Sequence, residues 1–233
     1  MDYDGTLSPI ATCPELAYLP RNTKRILLNL SQRKDVLLGI ISGRSISDVR
    51  PRVGLKQILY AGNHGLEISG PNIEFTHPKA KLAREEMLSI RDRLSYSLSG
   101  IPGLILEDKV LSLSLHFRQV EKDELEKMKK IFFDIILPLG DRIKLSTGKG
   151  VYNIMPPVDW DKGKAIQLIM GKYGENCLPL YLGDDLTDED AFKVVKEAGG
   201  IGILVGERTD SASEYYLRSP KEVETFLAKL QAK

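Results

Sequence analysis

Short apolar runs that stop abruptly at small or polar residues, with helical periods between them, set the narrowest bounds on what this chain can fold into. Residues 36–41 end in Ser42-Gly43-Arg44, residues 58–61 in Gly62-Asn63-His64-Gly65, and residues 178–182 in Gly183-Asp184-Asp185; a fourth run is Ile201–Val205. Helical spacing fills the intervals at residues 23–32, 165–173 and 188–198. Strands of four to six apolar residues alternating with helices are buried on both faces, which predicts a parallel sheet with helices on either side. The expected class is α/β, with a Rossmann-like parallel-sheet core.

Residues 78–157 have a different texture. A charged helical stretch (79–98) leads through a Gly-containing turn to the alternating run 111–117. A second helix (123–137) precedes two more strand-like runs, 142–147 and Val151–Met155. Helix, two strands, helix, two strands is an α+β pattern whose neighbouring strands pair antiparallel. It reads as an insertion, with His77-Pro78 and Pro156-Pro157 at the joints. The expected organisation is a core domain of residues 1–77 and 158–233 and an inserted cap domain of residues 78–157.

Charge narrows the partners. Lys and Arg number 33 against 32 Asp and Glu, a formal net charge of +1. Nucleic-acid and membrane-surface binders leave a basic footprint, so neither partner is expected. Cys13 and Cys177 match no zinc or redox spacing. No apolar run approaches the ~20 residues of a membrane span, and no signal peptide precedes the first motif. These features predict a soluble, cytoplasmic protein; a monomer is the expected state, although no signal in the sequence speaks to it.

Two acidic clusters carry the chemistry. Asp2-Tyr3-Asp4-Gly5-Thr6-Leu7 places two carboxylates two residues apart, with Gly5 free to turn the backbone sharply after them. Gly183-Asp184-Asp185-Leu186-Thr187-Asp188-Glu189-Asp190 follows a buried run. Its later part is expected to start a helix, with Thr187 as N-cap, Asp190 at N3, and Glu189 and Asp190 offsetting the macrodipole. Adjacent carboxylates at a strand end repel unless a cation neutralises them, and a hard, oxygen-seeking ion such as Mg²⁺ is the simplest one. Ligands of open parallel sheets sit beyond the carboxyl ends of the strands, so Asp2, Asp4, Ser42, Asp184 and Asp185 could converge on one site.

With these residues in hand, a family resemblance is visible. Asp2-Tyr3-Asp4-Gly5-Thr6-Leu7, Ser42-Gly43-Arg44, Lys162-Gly163-Lys164-Ala165 and Gly183-Asp184-Asp185 with Asp188 resemble, in order, the four motifs of the haloacid dehalogenase superfamily of phosphohydrolases. Extending the first motif to Ser8-Pro9-Ile10 and adding Gly62-Asn63-His64-Gly65, Trp160-Asp161 before the third motif, and Leu186 to Asp190 narrows the similarity to trehalose-6-phosphate phosphatases. Leu106-Glu107-Asp108-Lys109 and Ser114-Leu115-His116-Phe117-Arg118 look like that family's cap.

The resemblance implies a Mg²⁺-dependent phosphatase that releases trehalose and phosphate from trehalose 6-phosphate. Asp2 would be the nucleophile that forms an aspartyl-phosphate, and Asp4 the acid and then base. Asp2, the Asp4 carbonyl and Asp184 would hold the metal, with Asp185 and Asp188 orienting waters or Lys162. Ser42, Gly43, Arg44 and Lys162 would surround the phosphoryl group, Lys162 beside the reacting phosphorus. The cap would close over the site and exclude water. Glu107, Lys109, Arg118 and Asn153 on the cap, with His64 from the core side, would meet sugar hydroxyls. Bland roles stand beside these: Ser42-Gly43 as turn and helix cap, and Lys162, Lys164 and Arg44 as solvated surface.

Two departures from the family pattern matter. Where such phosphatases commonly carry Glu-x-Arg-Pro, this chain reads Asn153-Ile154-Met155-Pro156. A phosphatase for another glycosyl phosphate (sucrose 6-phosphate, glucosylglycerol phosphate, or glucosyl- or mannosyl-3-phosphoglycerate) therefore remains an alternative. The first motif is also expected to follow an apolar strand of about five residues, yet only Met1 precedes Asp2. Upstream residues are expected to be missing; if they are not, a catalytically impaired binding or regulatory domain is the reading of a different class.

Overall fold

The computed structural model describes residues 1–11, 14–148, 150–174 and 177–231. Cys13 lies outside the described residues. The chain groups into two units: Met1–Ala11, Glu15–Phe75 and Trp160–Lys233 form one, and Thr12–Pro14 with Thr76–Asp159 the other.

In the first unit, helix α1 (Arg21–Ser31) buries Thr23, Ile26, Leu27 and Leu30, the stripe its spacing predicts. Strand β1 (Gly39–Ile41) follows, then α2 (Ile46–Val53), β2 (Leu59–Gly62), β3 (Glu67–Gly70) and β4 (Ile73–Thr76). Ser45 caps α2 by accepting the Asp48 N–H, and Gly54 ends it in the left-handed conformation. The run 36–41 yields only three strand residues, because the Val36 N–H turns back to the Arg33 carbonyl.

The second unit contains α3 (Pro78–Leu82), α4 (Arg84–Ser97), β5 (Ile105–Asp108), β6 (Leu113–His116), α5 (Lys122–Ile136), β7 (Lys144–Gly148) and β8 (Val151–Met155). The stretch read as one helix over 79–98 is two, broken at Ala83. The halves have different tasks: α4 buries Met87, Ile90 and Leu94, whereas α3 buries only Ala80 and leaves Leu82 in solvent. The sheet runs β5-β6-β8-β7, every pairing antiparallel. One face, with Leu113, Leu115, Tyr152 and Ile154, packs on α4 and on Met128 and Phe132 of α5. The Phe132 and Tyr152 rings stack at 4.6 Å.

The first unit then resumes with α6 (Lys162–Tyr173), β9 (Leu180–Gly183), α7 (Glu189–Glu197), β10 (Ile201–Val205), β11 (Tyr215–Leu217) and α8 (Pro220–Gln231). Strands β9, β10 and β11 are parallel, as are β1 and β2; β3 joins β2 antiparallel, and β4 lies beyond it. Residues Met1 and Asp2 lie between the two sets: the Asp2 N–H donates to the Leu182 carbonyl at 2.8 Å, and the Ile41 N–H donates to the Met1 carbonyl at 2.9 Å. Strands β3, β4 and β11 and helix α8 were not anticipated from the sequence. α8 packs on α1, where the Thr23 hydroxyl donates to Glu224 at 3.0 Å inside the contact. No described helix is long and apolar enough to cross a membrane.

Candidate active site

The backbone after Asp2 curls at once. Leu7 and Ser8 N–H groups both donate to the Tyr3 carbonyl, and Gly5 N–H donates to Ser8. Gly5 takes φ +84°, a conformation that a Cβ opposes, and a Cβ there would also overlap the Asp184 carboxylate. The first loop therefore rests directly against the residue after β9. Tyr3 and Leu7 are buried in the core, which anchors the turn, while Asp2 is buried and Asp4 half-exposed.

Lys162, at the first turn of α6, is 3% exposed and sits between two carboxylates. Its ammonium donates to Asp2 Oδ1 at 2.8 Å and to Asp188 Oδ1 at 2.7 Å. A lysine at a helix N-terminus opposes the dipole; here two buried acids offset that cost, and the surface reading of Lys162 is excluded. Burial works against its charge, but Asp188 and Asp2 hold it above its ordinary range. Asp188 is saturated with donors: Lys162, the Tyr181 hydroxyl at 2.6 Å, and the Asp184 and Asp185 N–H groups at 3.0 Å. Although burial penalises its charge, those partners keep Asp188 below the usual carboxylate range. Asp2 goes the other way: burial, with Asp188 and Asp184 adding to it, outweighs Lys162 and pushes its carboxyl well up.

Asp2, Asp184 and Asp188 each offer an oxygen, all within 4.8 Å of one another. The Lys162 ammonium bonds only Asp2 and Asp188, and Asp184 adds a third acid to the cluster. That hard oxygen donor set fits a divalent cation.

Ser42 is buried at the end of β1, beside the Met1–Asp2 pairing, and its hydroxyl accepts the Arg44 N–H at 3.1 Å. It is not the cap of α2, which is Ser45. Arg44 is buried too, against its surface reading: two of its nitrogens donate to Asp4 at 2.6 and 2.8 Å and a third to Asp48 at 2.6 Å. Gly43 lies under His64, since a Cβ there would approach the imidazole Cε1 to 2.8 Å. Asn63 and His64 both adopt left-handed backbone, φ 51° and 58°, uncommon for residues with a side chain and frequent at functional sites. Glu67 secures that loop, accepting from Asn63 Nδ2 and from the Ile46 N–H, each at 2.8 Å.

The expected cap at Thr187 is not formed. Asp185 is the N-cap of the turn Leu186–Asp188, in a capping box with Asp188. Asp188 also holds Lys162 and the Asp184 N–H, and the short turn it closes with Asp185 leads directly into α7 at Glu189. Glu189 and Asp190 do occupy the first turn of α7, but Glu189 also ties down residues 208–212, accepting from Arg208, the Ser211 hydroxyl and the Ala212 N–H.

In the second unit, the sheet face away from its core carries a polar row. Glu107, Ser114, Asn153 and Ser146 are directly opposed across the four strands. Ser114 donates to Asn153 Oδ1 at 2.6 Å, and Asn153 Nδ2 donates to Ser146 at 3.5 Å. His116 lies 3.0 Å from Glu107, with the nearly buried Lys109 ammonium 3.7 Å from it. Arg118 lies against Gly150, the residue before β8. Thus Asp2, Asp4, Ser42, Gly43, Arg44, His64, Lys162, Asp184, Asp185 and Asp188 belong to the first unit, and Glu107, Lys109, Arg118 and Asn153 to the second.

Sequence reasoning missed Tyr181, Glu67, Asp48 and the two serines flanking Asn153. Tyr181 reads as one more apolar strand residue, and only its hydroxyl hinted at a buried acceptor.

Known proteins share this chain's sequence pattern and fold. Residues 1–223 match the family described as trehalose-phosphatase. Trehalose-phosphate phosphatase B of Arabidopsis thaliana is 34% identical over 245 residues, covering 99% of this chain and 65% of the relative. Probable trehalose-phosphate phosphatase 4 of Oryza sativa subsp. japonica is 37% identical over 242 residues, covering 99% and 64%. The chain thus spans about two-thirds of the length of these relatives. A crystal structure titled trehalose-6-phosphate phosphatase related protein shares the fold, with a TM-score of 0.85 at 24% identity over 100% of this chain and 96% of that one. Four motifs in order, folded onto one sheet end and matched over nearly the whole length, make this chain a member of the trehalose-phosphatase family.

Proposed function

We propose that the chain is a phosphatase that hydrolyses trehalose 6-phosphate, with Asp2 as nucleophile. One observation carries this reading: a buried carboxylate at the end of the central sheet, 2.8 Å from a buried ammonium, inside a cluster of acids. An Asp2 oxygen attacks phosphorus, and the bond to the sugar oxygen breaks as Asp4 supplies its proton. Water then attacks the aspartyl-phosphate, Asp4 takes the proton, and phosphate leaves with Asp2 regenerated. Lys162 sets positive charge beside Asp2, and Ser42 offers a hydroxyl to a phosphoryl oxygen. Asp2, Asp184 and the Asp4 carbonyl would hold a divalent cation, Mg²⁺ by the hardness of the donors, which when bound shields the carboxylate from the negative phosphate. Asp185 and Asp188 order that cluster from behind.

Family membership and the names of the relatives support trehalose 6-phosphate as substrate. The polar row of the second unit, with Glu107, Lys109 and Asn153, suits sugar hydroxyls, and Arg118 and His64 are assigned the same role. A second reading, another glycosyl phosphate, is favoured by one feature. Asn153 is bonded to two serines, with Met155 beyond it, in place of a carboxylate and a guanidinium.

Phosphate release with and without Mg²⁺, across trehalose 6-phosphate, sucrose 6-phosphate, glucose 6-phosphate and glucosyl-3-phosphoglycerate, tests both. Metal-dependent preference for the first is expected, and Asp2→Asn should abolish it. Preference for another sugar keeps the chemistry and replaces the substrate. No turnover by the folded protein would refute the phosphatase reading.

A further inference from the structure

The pattern Ser42-Gly43-Arg44 suggested a phosphate-binding arginine, but the geometry points to a different task. We propose that Arg44 is a positioning residue for Asp4: its guanidinium fixes the plane of the Asp4 carboxylate, and it acts on the reaction through Asp4 rather than through the phosphoryl group. This rests on the phosphatase reading above.

Three observations carry it. Arg44 Nε donates to Asp4 Oδ2 at 2.6 Å and Nη2 to Oδ1 at 2.8 Å, so both carboxylate oxygens meet one planar fork. Two parallel hydrogen bonds between planar groups fix rotation about the carboxylate as well as position. The fork is itself held. Nη1 donates to Asp48 at 2.6 Å, Asp48 receives Arg52 at 2.9 Å, and Arg52 reaches the Ala17 and Glu15 carbonyls at 3.0 and 3.2 Å. The Arg44 side chain is 8% exposed, whereas that of Asp4 is 39% exposed, and the guanidinium carbon lies 5.7 Å from the centre of the Tyr3 ring. The arginine is thus the built, buried part of the pair and the aspartate the accessible part. A guanidinium committed at all three nitrogens to Asp4 and Asp48 is organised as a bracket.

A bracket and a phosphate ligand differ in which substrates they help. A sugar oxygen leaves as a poor leaving group and needs a proton from Asp4; 4-nitrophenolate does not. General acid catalysis contributes about 10²–10⁴-fold. Arg44→Met should therefore lower kcat/KM for trehalose 6-phosphate about a hundredfold more than for 4-nitrophenyl phosphate, the pattern expected of Asp4→Asn. In the Asp4→Asn background, Arg44→Met should add little further change to that ratio, because residues acting as one unit are not additive. Arg44→Lys keeps the charge but not the fork and should fail to restore the ratio; it also carries the comparison if Arg44→Met does not fold. Equal losses on both substrates, or a further tenfold loss in the double variant, would make Arg44 an independent phosphate ligand and overturn the proposal. A wild-type protein inert on both phosphomonoesters would instead sink the phosphatase reading, and the proposal with it.

Discussion

The Lys162 ammonium lies 2.8 Å from Asp2 Oδ1, both groups inside the protein, with Asp188 equally close on its other side. Removing one partner of a buried ion pair leaves an uncompensated charge, which costs about 3–5 kcal/mol. Lys162→Met should lose stability of that order in urea unfolding, together with nearly all phosphate release. A variant as stable as the parent would mean that the two carboxylates do not depend on this ammonium.

Gly5 sets the distance between the first loop and Asp184. Its φ of +84° costs a residue with a Cβ about 1–2 kcal/mol, and the added methyl would overlap the Asp184 carboxylate. Gly5→Ala should therefore be less stable and need a higher Mg²⁺ concentration for half-maximal phosphate release. An unchanged metal titration would remove Asp184 from the proposed ligand set.

The strands and the chemistry of their ends were legible because both follow from local pattern. Ile201–Val205 and Val151–Met155 are strands over the residues their apolar runs mark, and the acids after residue 183 announce themselves. What stayed hidden depends on distance in space. Arg44 and Asp4 are 40 residues apart, and nothing local distinguishes a buried arginine from a solvated one. Glu67 looks like an ordinary strand acid until the Asn63 amide and the Ile46 N–H are brought to it. The cap at Asp185, which opens the turn Leu186–Asp188 ahead of α7, was obscured because Thr187 with Asp190 three residues on fits the same local pattern; the claim of Lys162 on Asp188 comes from 26 residues away. β11 was missed because it is three residues long and half exposed, with no apolar run to mark it.

In the second unit, Asp108 accepts both terminal nitrogens of Arg84, one of Arg91, and the Val110 N–H. The Arg84 pair above all, with the Val110 and Arg91 bonds, holds its carboxyl down to about 2. A carboxyl depressed in the folded state adds stability above the unfolded value near 3.8, and that stability drains away as pH falls toward 2. Asp108→Asn should be less stable than the parent at pH 6 by about 1–2 kcal/mol, allowing for partial solvent screening. The gap should narrow once pH drops below about 4. Urea unfolding of both proteins from pH 6 to pH 3 measures it, and a gap independent of pH would show that the ion pairs carry no net stabilisation.

Glu67 offers the sharpest test of how the His64 loop is held. One oxygen, Oε1, receives both the Asn63 amide and the first N–H of α2. Asn63 and His64 are left-handed, a conformation that persists only where neighbours enforce it. Hydrogen bonds to a charged acceptor are worth about 1.5–3 kcal/mol, and Glu67→Ala removes the acceptor for two donors at once. Its stability should fall by about that amount, and proteolysis should find a new site at the loop. Glu67→Gln keeps an oxygen in place and should recover most of the loss, because geometry more than charge does the holding. If Gln is no better than Ala, the negative charge itself is what the α2 N-terminus requires, and the loop is secured electrostatically rather than by a shaped acceptor.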